Sequence, residues 1–487
     1  MPELTSRRRM LVLAICCMSL LIVGMDNTIV NVALPSIRTD LSASVEGLQW
    51  TIDAYTLVLA SLLILAGSSA DRLGRRRTFQ TGLVLFTLGS LLCSVSPSLG
   101  WLIAFRMVQA IGGSMLNPVA MSIITNVFTE PRERARAIGV WGGVVGISLG
   151  VGPVVGGLLT ETIGWRSIFW INVPIGLVAV VLAALFVPES RAPRARRVDP
   201  IGQLLVLVLL ASVTYAIINA PRAGWASGET VGLFLLAAAA LAGLLYYEPR
   251  RTDPLIELRF FRSVPFSAAT VIAVCAFGAF GGFLFLITLY LQDVRQLSAL
   301  HAGLFLLPMA VVTSLLAPIS GRIVGARGPR LPLFLAGVSM CAGGLALTGL
   351  GRTTGYGWLI ASFVLFAVGF GMVNAPVTNT AVSGMPRSQA GVAAAVASTS
   401  RQVGAALGVA IIGSVINTGS HGAMASDLTA ASRPGWWIIA GAGACVLVLG
   451  AASTTRWAEA SADRTAQLLA AEPAPDERPV SQPAGTG

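Results

Sequence analysis

Fourteen apolar stretches in series limit this 487-residue chain more than any other feature. They lie near 10–33, 48–70, 78–96, 101–126, 137–160, 166–187, 201–220, 229–247, 266–291, 301–320, 331–350, 356–382, 389–416 and 435–455. Each is close to the roughly 20 residues a helix needs to cross a bilayer. One such run could be the core helix of a soluble protein, but fourteen could not share a soluble core. Charged residues make up 11% of the chain and mean hydropathy is +0.77, against about a quarter charged in soluble domains. The expected fold class is an all-α polytopic membrane protein with fourteen spans.

Arginine sets the expected orientation. The chain has no lysine, and its arginines crowd one set of alternate loops: Arg7–Arg9, Arg72 and Arg75–Arg77, then Arg132, Arg134, Arg136, Arg191, Arg194, Arg196 and Arg197, and later Arg250, Arg251, Arg259, Arg262, Arg322, Arg327, Arg330 and Arg387. The other loops hold Arg38, Arg166, Arg222, Arg295, Arg352 and Arg433. The positive-inside rule then puts both termini in the cytoplasm of a cell membrane. All-arginine usage points to a GC-rich, bacterial genome. The net charge of +11 is thereby a matter of topology, and no nucleic-acid partner is implied. "MPELTSRRRM" before the first stretch could open a signal peptide, but that stretch is long and further spans follow, so a first spanning helix is expected. The cysteines (Cys16, Cys17, Cys93, Cys275, Cys341, Cys445) all fall in apolar runs without metal-type spacing. His301 and His421 are the only histidines, so neither a metal site nor a histidine relay is expected.

Two arginine- and proline-rich connections, "PESRAPRARRVDP" and "EPRRTDPLIELRFFRS", bracket the seventh and eighth stretches. The expected organisation is a short N-terminus (1–9), a six-helix bundle (10–189), a linker with two extra spans (190–265), a second six-helix bundle (266–456) and a disordered tail (457–487) whose composition is rich in Ala, Pro and charge. A weak repeat relates the halves. Gly67, Asp71 and Gly74 of "GSSADRLGRRR" have the same offsets as Gly321, Gly325 and Gly328 of "GRIVGARGPR", where the acid is gone. Repeated bundles around a central site are characteristic of secondary transporters.

Charges inside the apolar stretches are the natural candidates for a mechanism. At ~1.5 Å per residue, Asp26 falls ~7 Å, Asp53 ~8 Å and Arg106 ~9 Å outward of the middle of their stretches. Each is costly alone in lipid, so mutual pairing of the three in one layer of the first bundle is expected. Arg106, Gln109, Gly113 and Asn117 recur at helical spacing and mark a polar stripe. Two readings stand side by side: a static ion pair that ties helices together, and a titrating centre. Desolvation favours the protonated carboxyl and a nearby arginine the ionised one, so relative motion of acid and arginine would switch proton affinity. Asp26 is the first-ranked carrier. Asp53 is second, being about a turn from the interfacial Trp50, where it could instead reach water.

Five segments resemble the major facilitator superfamily. "GSSADRLGRRR" is similar to its loop signature, "LIAFRMVQAIGG" to its fourth-helix motif, and "GISLGVGPVVGG" (146–157) to the fifth-helix signature of its antiporters. "MDNTIVNVALP" and "GVAAAVASTSRQVGAALGVA" resemble the first and penultimate helices of its fourteen-helix drug exporters, the EmrB/QacA type. The resemblance implies proton-coupled export of amphipathic drug-like compounds by alternating access, needing no ATP and no cofactor, in a protein expected to be a monomer in the bilayer. It also implies a gate at Gly67, Asp71, Arg72, Gly74, Arg75 and Arg76 that latches an outward-open state. For the fifth helix (Gly146, Gly150, Gly152, Pro153, Gly156, Gly157) it implies a bend that seals a leak path; on physical grounds the same residues make a small-residue packing face with a kink at proline.

Asn27, Asn31, Tyr55, Gln109, Asn117, Asn374, Asn379, Arg401 and Gln402 are candidates for a substrate path, or for bonds from helix to helix. No buried acid is found in the second half, which favours neutral or monocationic compounds over dications. A dedicated exporter of one metabolite or self-made antibiotic is the main alternative, and a nutrient symporter is disfavoured by the fifth-helix signature. A sensor would need a larger soluble domain, and an enzyme a reactive cluster that the sequence lacks.

Overall fold

The structure, a computed structural model, describes residues 5–191, 199–251, 254–383, 385, 389–419 and 424–470. Arg194, Arg196, Arg197, Arg387, His421 and the tail 471–487 lie outside the described residues. The helices follow the apolar stretches one for one. In the first half they are α1 Ser6–Leu41, α2 Val45–Leu73, α3 Arg75–Ser94, α4 Leu99–Val127, α5 Pro131–Thr162 and α6 Ser167–Phe186. The insert is α7 Pro200–Ala223 and α8 Gly228–Tyr247. The second half holds α9 Val264–Leu289, α10 Ala299–Arg327, α11 Arg330–Leu347, α12 Tyr356–Val382, α13 Ala390–Gly419 and α14 Met424–Ser453. Thirteen of these are long and apolar enough to cross a membrane. The exception is α3, whose first turn is Arg75–Arg77; it packs between α4 and α6 like its neighbours.

Local chemistry sets the turns. Ser44, Ser227 and Ser298 cap α2, α8 and α10 by accepting an N–H from the first turn. Only Gly74 separates α2 from α3, and it holds φ +116°, a conformation that favours glycine. Its counterpart in the repeat, Gly328 after α10, holds φ +81°. Three expectations need correction. The motif 67–77 is mostly helix rather than loop, because α2 continues to Leu73. Helix α1 runs on through Pro35 to Leu41, so Asp26 lies ~4 Å past its middle rather than ~7 Å. Finally, the chain after 456 does not start as disorder: α15, Arg456–Ala470, buries Ala458, Ser461, Ala462, Thr465 and Leu469. Their three- and four-residue spacing makes one packed face, and Ser461 Oγ accepts the Val264 N–H at 2.9 Å.

Helices α1–α6 and α9–α14 form two bundles that meet along two seams, α5 with α10 and α2 with α13. The α7–α8 hairpin packs against α2 and α13; Gln203 donates to the Ser61 carbonyl. Cross-bundle hydrogen bonds gather at the end away from the chain termini. Arg38 donates to Asp293 at 2.8 Å and Gln292 to the Val32 carbonyl at 2.8 Å. Gln49 donates to the Ala410 carbonyl at 2.9 Å, Asn417 to Glu46 at 2.9 Å, and the Leu300 N–H to Glu161 at 3.2 Å.

The glycines of α5 show how far the first seam is closed. A Cβ on Gly157 would strike the backbone of Ala299 and Leu300, one on Gly150 would press on Ala310, and one on Gly146 on Ser314. Toward the terminus end, Gly143, Gly142 and Gly139 have open space beside them. The bundles therefore touch over one half of the seam and part over the other. Opposite Pro153, Gly303 of α10 meets the Pro153 carbonyl directly. Gly303→Val would place methyl groups against backbone that cannot rotate away, costing the closed end ~1–3 kcal/mol. In a background without the native cysteines, spin labels at Thr39→Cys and His301→Cys should then move apart. An unchanged distance distribution would show that this contact does not hold the end shut.

Candidate functional site

A polar network lies inside the first bundle, centred on Asp26. Arg106 NH1 donates to Asp26 Oδ2 at 2.5 Å, with both side chains essentially without solvent exposure. Gln109 Nε2 donates to Asp26 Oδ1 at 2.8 Å, and Asn172 Nδ2 donates to the same oxygen at 3.2 Å. Arg106 also reaches the Gln109 Oε1 at 2.7 Å and the Thr51 carbonyl at 3.2 Å. Ser90 Oγ accepts from Gln109 at 2.6 Å and from Asn172 at 3.3 Å. The guanidinium lies 4.1 Å from the centroid of the Tyr55 ring, a cation–π contact strengthened by exclusion of water. Gly113 is the position on α4 against which the Tyr55 hydroxyl rests.

The elements explain why these groups meet. Asp26 is on α1, Thr51 and Tyr55 on α2, Ser90 on α3, Arg106 and Gln109 on α4, and Asn172 on α6. Helix α5 reaches the same region through Ser148, which lies against Gly24 of α1. The network thus joins five helices by hydrogen bonds. Of its members the sequence reading named Asp26, Tyr55, Arg106 and Gln109. It missed Ser90, Asn172 and the Thr51 carbonyl. Asn172, in the apolar run "FWINVPIG", carried a signal that could have been read; a serine among apolar residues is too common to carry one.

Asp53 corrects the expected three-way pairing. It is fully buried, and neither carboxyl oxygen has a hydrogen-bond partner among the described residues. Helical geometry gives the reason: Asp53 is two residues from both Thr51 and Tyr55, ~200° around the helix from the side that meets Arg106. It shares a face with Gln49, one turn away, whose amide binds the backbone of α13. Asp53 is therefore on the side of α2 that forms the seam between bundles.

The ion pairs of the glycine-rich segment 67–77 fall within its own bundle. Asp71 pairs with Arg75 at 2.9 Å, not with Arg72, which is exposed. The Arg76 N–H donates to Glu189 Oε1 at 3.1 Å, Arg77 lies 3.7 Å from the same carboxylate, and Gly74 is pressed against it. Glu189 was not foreseen. Gly67 has open space beside it. On α5, Gly152 and Gly156 admit Thr28 and Ile29 of α1, while Gly146, Gly150 and Gly157 face α10. The small-residue face is thus two faces, one for each bundle, and the helix runs unbroken through Pro153.

The remaining candidates are scattered. Asn31 donates to the Asn27 carbonyl at 3.2 Å. Asn117 and Gln402 are half-buried, and Asn374 and Asn379 are exposed. Arg401 donates to Thr378 at 3.1 Å, its guanidinium 5.9 Å from the Phe277 ring centroid. A narrow cleft opens instead between α1, α5, α9 and α10; Thr28, Leu149, Pro153, Phe280, Met309 and Thr313 are among its lining residues.

Two helical bundles, the first holding a buried acid–arginine centre, that meet along seams define a polytopic membrane protein of the two-bundle transporter build. The chain belongs to the Major Facilitator Superfamily, whose sequence model matches residues 16–409. It is 34% identical over 411 residues to the multidrug resistance protein Stp of Mycobacterium tuberculosis, covering 84% of this chain and 76% of that one. It is 37% identical over 394 residues to the tetracenomycin C resistance and export protein of Streptomyces glaucescens, covering 81% and 73%. Identity to the puromycin resistance protein pur8 of Streptomyces alboniger is 37% over 415 residues, covering 84% and 81%. A bacterial homologue of the human lysosomal transporter Spinster, crystallised in an inward-facing and occupied conformation, shares the fold with a TM-score of 0.66 at 17% identity, covering 95% of this chain and 98% of that one.

Removing one partner of a buried pair leaves the other uncompensated. Arg106→Leu and Asp26→Asn should each cost ~3–5 kcal/mol, while the double variant should cost clearly less than their sum. Thermal unfolding of the detergent-solubilised protein measures the cycle. Strict additivity would mean that the two side chains do not stabilise each other.

Proposed function

We propose that this chain is a proton-coupled antiporter that exports amphipathic, drug-like molecules from a bacterial cell by alternating access. It would act as a monomer in the plasma membrane with both termini in the cytoplasm, taking its energy from the proton gradient and needing no cofactor. The observation that carries this reading is a pair of intramembrane acids in contrasting settings, Asp26 within the first bundle and Asp53 on the side of α2 that meets the second. The relatives named for drug resistance and export support it, since they cover most of this chain and most of their own length.

The contrast between the acids supports a division of roles between them. Asp26 receives donors from Arg106, Gln109 and Asn172, so its charge is compensated and it serves to hold the first bundle as one body. Asp53 has no donor among the described residues, and an ionised carboxylate there would be strongly unfavourable. Adding a proton removes that cost, and opening the α2–α13 seam to water removes the need for it. Asp53 is therefore placed to take up a proton in one state and release it in the other. Asp71 with Arg75 would exchange partners across the bundles when the terminus end closes.

Everted vesicles with an acid interior test this proposal. Several amphipathic compounds should collapse the gradient in wild type, and Asp53→Asn should abolish the collapse. Asp26→Asn, once shown to be inserted, should retain part of it. The opposite ranking would return the proton to Asp26. A gradient that no compound collapses would end the antiport reading.

A further inference from the structure

We infer that α15 lies flat in the headgroup layer of the leaflet at the terminus end and docks the second bundle to the bilayer surface through Trp457, Ala460, Arg464 and Leu468. This surface is separate from the proton path, and its occupant is the same whether or not the chain exports anything.

Packing divides α15 into three stripes. At ~100° per residue, Ala458, Ser461, Ala462, Thr465 and Leu469 fall on one side, and all are buried against the protein. Arg456, Glu459, Asp463 and Gln467 fall on a second side, where every residue is polar and exposed. Between the two lie Trp457, Ala460, Arg464 and Leu468, exposed as well, with Trp457 at 66% and Leu468 at 51%. A helix docked on a protein in plain water needs only two faces, one packed and one polar. The third stripe, mainly apolar yet unpacked, marks a third environment.

The position of α15 supplies that environment. Ser461, near its middle, accepts the N–H of Val264 at 2.9 Å. Val264 opens α9, and Arg259 and Arg262 lie just before it. The centre of α15 is therefore level with the start of a span, where hydrocarbon gives way to headgroups. From the end of α14 the helix passes beneath α9. Near its far end Leu469 packs in one apolar cluster with Phe266 of α9, Ala381 of α12 and Ala393 of α13. These are the terminus-end turns of three different helices, so α15 runs across the end of the bundle, over ~22 Å.

The chemistry of the stripe suits a lipid surface. Tryptophan is favoured at the membrane interface, and Leu468 continues the same line three turns on. Arg464, between them, is able to keep its methylenes in the apolar layer while its guanidinium reaches phosphate. Both acids of the helix, Glu459 and Asp463, stand on the polar stripe instead. An apolar face with basic and tryptophan residues is the pattern of helices that lie in the interface plane. The stripe also continues a surface that already faces lipid, since Val448 of α14 is 64% exposed and Phe261, before α9, is 42% exposed. Such an anchor opposes tilting of the second bundle, because rotation would pull Trp457 and Leu468 into water.

The test is a nitroxide scan of the full chain, freed of its native cysteines, in vesicles of phosphatidylethanolamine and phosphatidylglycerol. Power-saturation EPR compares collisions with oxygen, which partitions into lipid, and with a nickel chelate, which stays in water. Labels replacing Trp457, Ala460 and Leu468 should favour oxygen, and labels replacing Glu459, Asp463 and Gln467 should favour nickel. Ala460 and Leu468 keep the scan decisive if loss of Trp457 prevents folding. Arg464→Glu, which sets a carboxylate against the phosphates, should raise nickel collisions at a label replacing Ala460 several-fold; no change there would overturn the part given to Arg464. Nickel preference at Leu468 and Ala460 equal to that at Asp463 would put the stripe in water and overturn the docking. Protection from both reagents would mean that protein covers the stripe, which overturns it equally; a short label-to-label distance at Leu468 would then identify the cover as a second copy of this chain.

Discussion

An arginine cannot lose its proton at any pH a membrane meets, so burying Arg106 obliges the rest of the first bundle to supply acceptors. Asp26 gives the charge, Gln109 and the Thr51 carbonyl give neutral oxygens, and the Tyr55 ring covers one face of the guanidinium. Asn172 and Ser90 then complete the partners of Asp26 and Gln109. Because these groups come from five helices, the positions of the helices are fixed relative to one another by a requirement none can escape alone. Lipid offers no competing hydrogen bonds, so the network has no alternative partner in the solvent around it.

A bundle fixed from within can move only as a body, and the seams are built for such movement. Glycine and alanine along α5 and α10 let backbones touch without interlocking side chains, so parting them breaks few specific contacts. The hydrogen bonds that do cross sit at one end, among polar residues at helix termini that water can solvate when they separate. Asp53 sits on the other seam, where a change of angle between bundles alters its surroundings without disturbing the Asp26 network.

The fold was legible because hydrophobic length is a coarse and robust signal. Span number, order and the division into two bundles with an insert all follow from it, as does the pairing of Asp26 with Arg106, since two opposite charges at one depth have few other options. Depth along a helix does not give direction around it, and that is why Asp53 was grouped with them. Whether it faces Arg106 or α13 depends on the rotation of α2, which is fixed by the packing of Tyr55 and Gln49. The cleft was less legible still. Phe280, Leu149 and Thr313 look like ordinary members of apolar runs, and only their juxtaposition across three helices makes a surface. Helix α15 was missed for the opposite reason: a composition rich in alanine and charge reads as solvated until its buried face is seen against α9.

The two-helix insert has one more consequence. The α7–α8 hairpin bears on α2 of one bundle and on α13 of the other, so it cannot follow both when they part. On its outer side Leu235, Leu236, Leu245 and Tyr246 stand largely uncovered, which is where acyl chains pack in a bilayer. Under the proposed alternating access, each turn of the cycle would slide this pair against its neighbours and displace the lipids around it. The membrane would then be a mechanical load on the protein, its thickness and fluidity entering the turnover rate.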